Sequence, residues 1–341
     1  LNLFFVEIAA TIMADYKDII IKELDTLRRA DIARREHFSA KAYAKVIEQL
    51  RAMSTPIQSI NDVKGVAGVG KNIKLKIQEI LETGSLKAAT EARKETNLES
   101  LEILQGIHGV GPVKAKQLVE TKGIKTIADL RKTLAGDSDL LNDVQKMGLK
   151  YYEDAIERIP RQEMAMHEAL ILTALDPRFT GVVVGSYRRG AVSSGDIDVL
   201  LMLPDTLSKK EQGQLFLDTI QMLKESDYIV DTLAQGPKKF LGYVRLEGEK
   251  ARRLDLLMTP EEEFAYAILY FTGSQNFNVA FRSYALEKGY TLNEHTLKPV
   301  KEGVPPVPPM KTEEDIFAFL GLEYVEPEQR IGEKNIVPVK T

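Results

Sequence analysis

Residues 185–201 read GSYRRGAVSSGDIDVLL. Side chains on a strand alternate between faces, so Asp196 and Asp198 share one face while Ile197 and Val199 turn into a core. Two carboxylates that close repel each other unless a cation lies between them, and an all-oxygen pair suits magnesium. The apolar run GVVV before them ends at Gly185-Ser186, a turn that offers a hydroxyl and backbone N–H groups to a phosphate. Arg188 and Arg189 supply the positive charge that a polyphosphate needs. By itself an Asp-x-Asp pair is more often a solvated strand edge than a site. The Gly-Ser before it and a second candidate strand, Arg252–Met258, with Asp255 between Leu254 and Leu256, tip the reading toward chemistry. Three carboxylates on neighbouring strands make a two-metal centre for phosphoryl transfer.

A chain of 341 residues with 44% hydrophobic content can bury two or three cores. It has no Cys, which excludes disulfides and thiolate zinc sites, and its four His (His37, His108, His167, His295) are scattered and read as structural or surface groups. The opening LNLFFVEIAATIM is short, lacks a positive flank and makes a poor signal peptide, so residues 1–14 read as an upstream or added extension. No later run approaches membrane-spanning length, and a soluble intracellular protein is expected. Net charge is −4 and the isoelectric point about 5.8, which by itself argues against a nucleic-acid partner. The charge is uneven, however: residues 15–95 hold 16 Lys and Arg against 12 Asp and Glu, or +4, leaving −8 elsewhere.

From Asp15 to Met53 apolar residues recur at helical spacing, with Ser39 expected to cap the second of two helices. Next comes VKGVAGVGKNIKLKIQEILETG, in which Gly68-Val69-Gly70 turns directly into a helix beginning at Lys71. The device recurs as LQGIHGVGPVKAKQLVETKG, with Gly109-Val110-Gly111 and Pro112 at the helix start. Such a turn presents backbone N–H groups at the positive end of a helix, where a phosphate can approach. Two of them, each followed by lysines, read as paired helix-hairpin-helix elements that hold nucleic-acid backbone without reading sequence. Helical spacing continues through 138–147, 150–159 and 161–175, and Asp176-Pro177 breaks it. From Phe179 to Pro260 the period becomes two, with one helix near 208–225, placing a domain boundary near 160–178. Two helical runs follow, then strand-like pieces from Tyr290 to Pro299, a proline-rich loop at 303–310, a short helix from Asp315 and a loose tail from Glu328.

The order of these parts resembles the family X DNA polymerases. The likeness runs from about residue 15 to 330, and its most specific blocks are GSYRRGAVSSGDIDVLL, QKMGLKYYEDAIERIPRQEM, RRLDLLM, LYFTGS and YALEKGYTLNEHT. It implies an α+β chain: a helical N-terminal lyase-like domain with two helix-hairpin-helix elements, a nucleotidyltransferase palm with mixed sheet, and a C-terminal fingers or thumb subdomain. The bounds expected are 15–95, 96–160, 161–260 and 261–341. The resemblance makes Asp196, Asp198 and Asp255 magnesium ligands, two ions with manganese able to substitute, and places Asp255 beside the primer 3′-hydroxyl. It makes Ser186, Arg189, Gly195 and Lys146 contacts of the incoming dNTP, Tyr270-Phe271-Thr272-Gly273 the sugar-selecting turn, and Asn278 and Arg282 groups facing the nascent pair and template. Gly68, Gly70, Lys71, Gly109, Gly111 and Arg253 fall to DNA, and the backbone of Lys64, Val66, Val69, Gln105, Ile107 and Val110 to sodium or potassium.

By the same resemblance Lys76 is the lyase amine, which would form a Schiff base with a 5′-deoxyribose phosphate. Around it the chain departs from the family pattern, with Glu36, Ala40, Asn72 and Ala88 where basic or aromatic residues are expected. Gln275 and Val279 at the nascent pair and Leu257 beside the metals are further departures, which bear on fidelity and nucleotide affinity. The reading that follows is a monomeric, template-directed polymerase filling gapped or nicked DNA during repair, in the nucleus or wherever its genome is repaired. Its binding is expected to be salt-sensitive. A template-independent transferase and an idle DNA-binding scaffold are the alternatives. The short stretch between Ala234 and Arg252 argues against the first, and the retained carboxylates with Ser186 and Arg189 against the second.

Overall fold

The computed structural model describes residues 15–53 and 55–340, so the 1–14 extension lies outside the described residues. The chain divides into two compact units, with the division between Gln145 and Lys146.

The first unit is helical: α1 (Lys17–Ala33), α2 (His37–Ala52), α3 (Lys71–Thr83), α4 (Lys87–Glu95), α5 (Leu98–Gln105), α6 (Pro112–Lys122) and α7 (Ile127–Gly136). The apolar stripes of α1 and α2 meet as expected, with Ile20, Leu24 and Leu27 buried together with Val46, Ile47 and Leu50. Ile77 and Ile80 of α3 and Ala89 and Ala92 of α4 close the same core. Ser39 does not cap α2; Glu36 stands at the cap position and Ser39 lies inside the helix. Its hydroxyl is taken by the buried Asp31 carboxylate at 2.5 Å, because the chain leaves α1 through the left-handed Arg35 and returns so tightly that Glu36 N–H bonds the Asp31 carbonyl.

The two glycine turns share one pattern of backbone bonds. Val66 and Ile107 donate N–H to the carbonyls of Val63 and Leu104, Val69 and Val110 to those of Val66 and Ile107, and Lys74 and Ala115 to those of Gly70 and Gly111. Gly68 and Gly109 sit at φ +94° and +85°, where a side chain would be strained, and Gly70 and Gly111 are the extended residues that open α3 and α6.

The second unit begins within α8 (Asp143–Lys150) and runs through α9 (Tyr152–Ala155), β1 (Ile159–Pro160), α10 (Arg161–Ala174), β2 (Thr180–Val183), α11 (Gly185–Arg188), β3 (Ser193–Ser194), β4 (Ile197–Met202), α12 (Lys209–Glu225), β5 (Ile229–Gln235), β6 (Lys239–Val244) and β7 (Arg252–Met258). It ends with α13 (Phe264–Thr272), α14 (Gln275–Glu287), β8 (Tyr290–Leu292), β9 (Leu297–Pro299) and α15 (Glu313–Phe319). The helical spacing of 150–159 yields only the single turn α9. Residues 154–160 belong with the sheet instead: β1 pairs with β3, and the buried Arg252 guanidinium bonds the Glu157 carbonyl at 2.9 Å and both oxygens of Glu163. Hence the division between units precedes the change of period near 160–178.

The five-stranded sheet has the order β2-β4-β7-β6-β5, and only β4 and β7 run parallel. Ile197, Val199 and Leu201 of β4 face one side, packed with Leu254 and Leu256 of β7, Ile171 of α10 and Phe216, Ile220 and Leu223 of α12. Leu200 faces the other side with Phe264 and Ala267 of α13. A separate core of Phe277, Phe281, Ile316 and Phe317 joins α14 to α15. The segment from Glu328 is not a loose tail: the Arg330 side chain is wholly buried, and Leu322 forms a bridge with Pro338. Its charged composition hides this, because the burial is of a guanidinium held by Glu313 at 2.5 Å and not of an apolar run.

Candidate active site

Parallel pairing sets Asp198 of β4 directly opposite Asp255 of β7. Alternation along both strands sends Ile197, Val199, Leu254 and Leu256 into the core, so the two carboxyl groups must share the other face. Asp196 stands exposed one residue before β4. Burial, followed by the charges of Asp196 and Asp255, pushes the Asp198 carboxyl up to about 7, against the pull of Arg253. Burial also raises Asp255, while the charge of Arg253, whose Nη2 donates to Asp255 Oδ1 at 2.6 Å, draws it down.

Among the described residues no three His, Asp or Glu side chains stand ready as a cation cage. Arg253 takes one oxygen of Asp255, and Asp196 lies off the strand. The donor set nonetheless fits a hard divalent ion. All three groups are carboxylates, and Asp198 is held back from ionising by burial and then by the charges of Asp196 and Asp255, which a cation between them would neutralise.

The Gly185–Arg188 turn is built against this pair. Val184 N–H bonds the Asp198 carbonyl at 2.9 Å, and Gly185 has φ +66° with its missing Cβ only 3.1 Å from Asp198 Oδ2. A side chain at 185 would press on the carboxylate. Ser186 donates its hydroxyl to Ser194 at 3.0 Å, and Gly195 is exposed beside Arg158, whose Nε bonds Ser193 Oγ. Arg189 is partly desolvated, which lowers its pKa, and its Nη1 donates to the Thr272 carbonyl at 2.5 Å. That bond brings the expected phosphate-binding turn to the expected sugar-selecting turn. Tyr270 and Phe271 pack edge to face at the end of α13, Gly273 is buried, and Asn278 Nδ2 donates to the Tyr270 carbonyl at 2.7 Å. Tyr266, Leu269, Tyr270, Asn278, Arg282 and Asn293 line a cleft there. Gln275 and Val279 are exposed on α14, and Leu257 is half-buried on β7.

The expected DNA-binding residues of the first unit lie on its two turns, described above, with Lys71 exposed and Lys76 half-buried on α3. Of the carbonyls expected to hold a monovalent cation, those of Val66 and Ile107 already accept the N–H of Val69 and Val110, which leaves each one lone pair. Lys146 is half-buried on α8. Several supporting groups have no signal in the sequence. Gln145 donates Nε2 to the Gly109 carbonyl at 3.0 Å and braces the second turn. Arg188 forks onto Glu313 and bonds Thr272 Oγ1 at 2.7 Å, across 125 residues of chain in the first case. An arginine next to one expected to bind phosphate reads as a second one until its partner is seen.

Comparison with known proteins agrees with this arrangement part by part. A helix-hairpin-helix domain matches residues 16–86, the fingers domain of DNA polymerase lambda 102–155, the DNA polymerase beta palm 158–261 and the DNA polymerase beta thumb 267–331. DNA polymerase lambda of Rattus norvegicus is 34% identical over 334 residues, covering 93% of this chain and 56% of its own length. DNA polymerase lambda of Arabidopsis thaliana is 31% identical over 311 residues, covering 85% of this chain and 57% of its own. The chain thus spans little more than half the length of these relatives. Within the family, the order of parts suggests polymerase beta; the palm and thumb carry that name, while the fingers and both relatives carry that of lambda. With successive segments from residue 16 to 331 each matching one of these domains, the chain belongs to the family X DNA polymerases.

Proposed function

We propose that this chain is a template-directed DNA polymerase that fills short gaps during repair, transferring a nucleotide from dNTP to a primer 3′-hydroxyl. The observation that carries the reading is the registered pair Asp198 and Asp255, with the Gly185-Ser186 turn held against Asp198. Asp196, Asp198 and Asp255 would hold two magnesium ions, or manganese in their place. Such ions lower the pKa of the attacking hydroxyl and neutralise the departing pyrophosphate.

The chain's own groups do the remaining work. Arg189 carries positive charge in a partly dry setting, where it acts strongly on phosphate oxygens, and Ser186 would turn its hydroxyl from Ser194 to the phosphate. The carbonyl of Thr272 is held by Arg189, which restrains the backbone that would face the sugar from receding to admit a 2′-hydroxyl. Asn278 and Arg282 face the nascent pair, and Asn278 is oriented by its bond to Tyr270. In the first unit the two glycine turns, with Lys71, would hold DNA backbone on either side of a gap, with a sodium or potassium ion at each turn. Lys76 would serve a deoxyribose-phosphate lyase step. A monomer acting on gapped or nicked DNA, nuclear in a nucleated cell, completes the reading; among the described residues no helix is long and apolar enough to cross a membrane.

Template direction is favoured over template-independent addition by the β5–β6 hairpin. Only Gly236, Pro237 and Lys238 join its strands, and Gly236 N–H bonds the Lys239 carbonyl at 2.8 Å, leaving no loop that could stand in for a template. The test is magnesium-dependent extension of a labelled primer on a one-nucleotide gap with a downstream 5′-phosphate, on an open template and on a single strand, with Asp198→Ala as control. Correct-base addition strongest in the gap and abolished by the substitution is expected. Addition to the single strand would point to the transferase, and DNA binding without any extension would leave only a scaffold.

A further inference from the structure

The matched thumb ends at residue 331, yet the chain continues in order and is laid back on that thumb. Glu323 N–H bonds the Val337 carbonyl at 2.8 Å, Val339 N–H bonds the Gly321 carbonyl at 2.9 Å, and Ile336 joins the core of α14 and α15. These contacts fasten the far end of the segment. Its near end is fastened elsewhere, at the turn between α13 and α14. Ser274 donates its backbone N–H to the Arg330 carbonyl at 3.2 Å and its hydroxyl to the Ile331 carbonyl at 2.9 Å. The same hydroxyl accepts Phe277 N–H at 3.3 Å, so one oxygen both caps α14 and ties it to the following segment.

Asn335 holds this near end in shape. Its Oδ1 accepts the backbone N–H of Ile331 at 3.3 Å and of Gly332 at 3.2 Å, closing a loop whose Gly332 lies beside Asn276. The turn is therefore gripped from two sides. From the palm, Arg189 takes the Thr272 carbonyl and Arg188 the Thr272 hydroxyl. From the other side come the carbonyls of Arg330 and Ile331, and Glu313 accepts bonds from both Arg188 and Arg330. Ile331, Val337 and Val339 remain exposed, so the segment hides little apolar surface for its length. Its near-end contacts fall on Ser274 and Asn276, which flank the residues expected to read sugar and base.

We propose that residues 330–339 form a positioning strap that sets sugar and base selectivity by fixing the Thr272–Ser274 turn and the first turn of α14. This rests on the polymerase reading above. Exclusion of ribose by a backbone works only while that backbone cannot retreat, and a displacement of about 1 Å is enough to cost roughly a hundredfold in a positioned reaction. Asn335 is a positioning residue in this scheme, acting through Ile331 and Ser274 and touching no substrate.

The test compares the intact chain with a chain ending at Ile331, with Asn335→Ala and with Asn335→Asp, whose carboxylate can still accept both N–H groups. Single-nucleotide insertion of dNTP and rNTP in a gap is measured together with amide hydrogen exchange over residues 274–280. Loss of the strap is expected to leave kcat for dNTP within about twofold, raise KM about fivefold or more, and cut the preference for dNTP over rNTP about tenfold. Exchange at 274–280 should quicken about tenfold in the shortened chain and in Asn335→Ala, with Asn335→Asp close to the intact chain. Unchanged selectivity and exchange would overturn the proposal. So would kcat and KM that worsen together in step with a lower Tm, since that is the mark of a merely structural segment. An intact chain that extends no primer would refute the polymerase reading, and the exchange measurement would still decide whether the strap fixes the turn.

Discussion

Replacing Asp198 by Asn should make the protein more stable above neutral pH, by an amount that follows from the crowding of the site. The Asp198 carboxyl is pushed up from 3.8 to about 7, first by burial and then by Asp196 and Asp255. A carboxyl whose pKa is higher in the folded chain than in the unfolded one stabilises the fold only while protonated. That contribution is complete below about 4, and it is lost as pH rises through about 7. About 3 pH units at roughly 1.4 kcal/mol each give an upper figure of about 4 kcal/mol lost at pH 8 in the absence of a cation. Asn keeps the shape and never ionises, so the variant should hold that margin at pH 8, on the order of 10 °C in the transition of the sheet-bearing unit. The assay is thermal unfolding of both chains at pH 5 and pH 8 in EDTA. The difference between the chains isolates this group from any others that titrate in the window. Magnesium at pH 8 should then raise the Tm of the intact chain and leave Asp198→Asn unmoved. Equal Tm values for the two chains at pH 8 would refute the reasoning, because Asp198 would then not be held protonated by burial and by its neighbours.

Other groups give independent checks. His167 is lowered to about 4 by burial and bonds Tyr228 OH at 2.7 Å, so its contribution is present above pH 6.5 and lost as pH falls toward 4. Between pH 7 and pH 4, urea unfolding should show the intact chain losing about 3 kcal/mol more than His167→Leu. Gly185→Ala places a Cβ at φ +66° against Asp198 Oδ2. Extension should fall about a hundredfold, with a Tm loss of only about 1–3 kcal/mol equivalent, read by single-turnover kinetics beside a melting curve. Lys76→Ala should abolish borohydride trapping on a 5′-deoxyribose-phosphate end while leaving gap filling intact; trapping that persists would move the amine to Lys71 or Lys74.

Where the sequence is legible, the reason is periodicity that one element carries by itself. Arg252–Met258 alternates buried and partly open residues, and its strand bounds coincide with the expected ones. The helix expected near 208–225 runs from Lys209 to Glu225, with Ser208 and Glu211 forming a reciprocal cap. The glycine turns are equally plain, because a left-handed φ followed by a helix start demands particular residues. Pairing is less legible. Nothing local tells β4 that its neighbour is β7, or that Arg188 will bond Glu313 and not a phosphate. Ser39 shows the same limit on a small scale, since its fate depends on Asp31 turning back toward it. The stretch after Glu328 misleads for a different reason. Its ordering comes from one buried guanidinium and backbone carbonyls, neither of which raises mean hydropathy.

The parallel neighbours β4 and β7 are separated in the chain by α12 and the β5–β6 hairpin. Joining them closes a long loop, so this pairing belongs to the late and entropically costly contacts of folding. A fragment that lacks either strand cannot hold the two carboxylates side by side. Affinity for a divalent ion is therefore a reporter of complete folding: during refolding, ion uptake should appear only with the last phase, after helix formation has been recorded by far-ultraviolet circular dichroism.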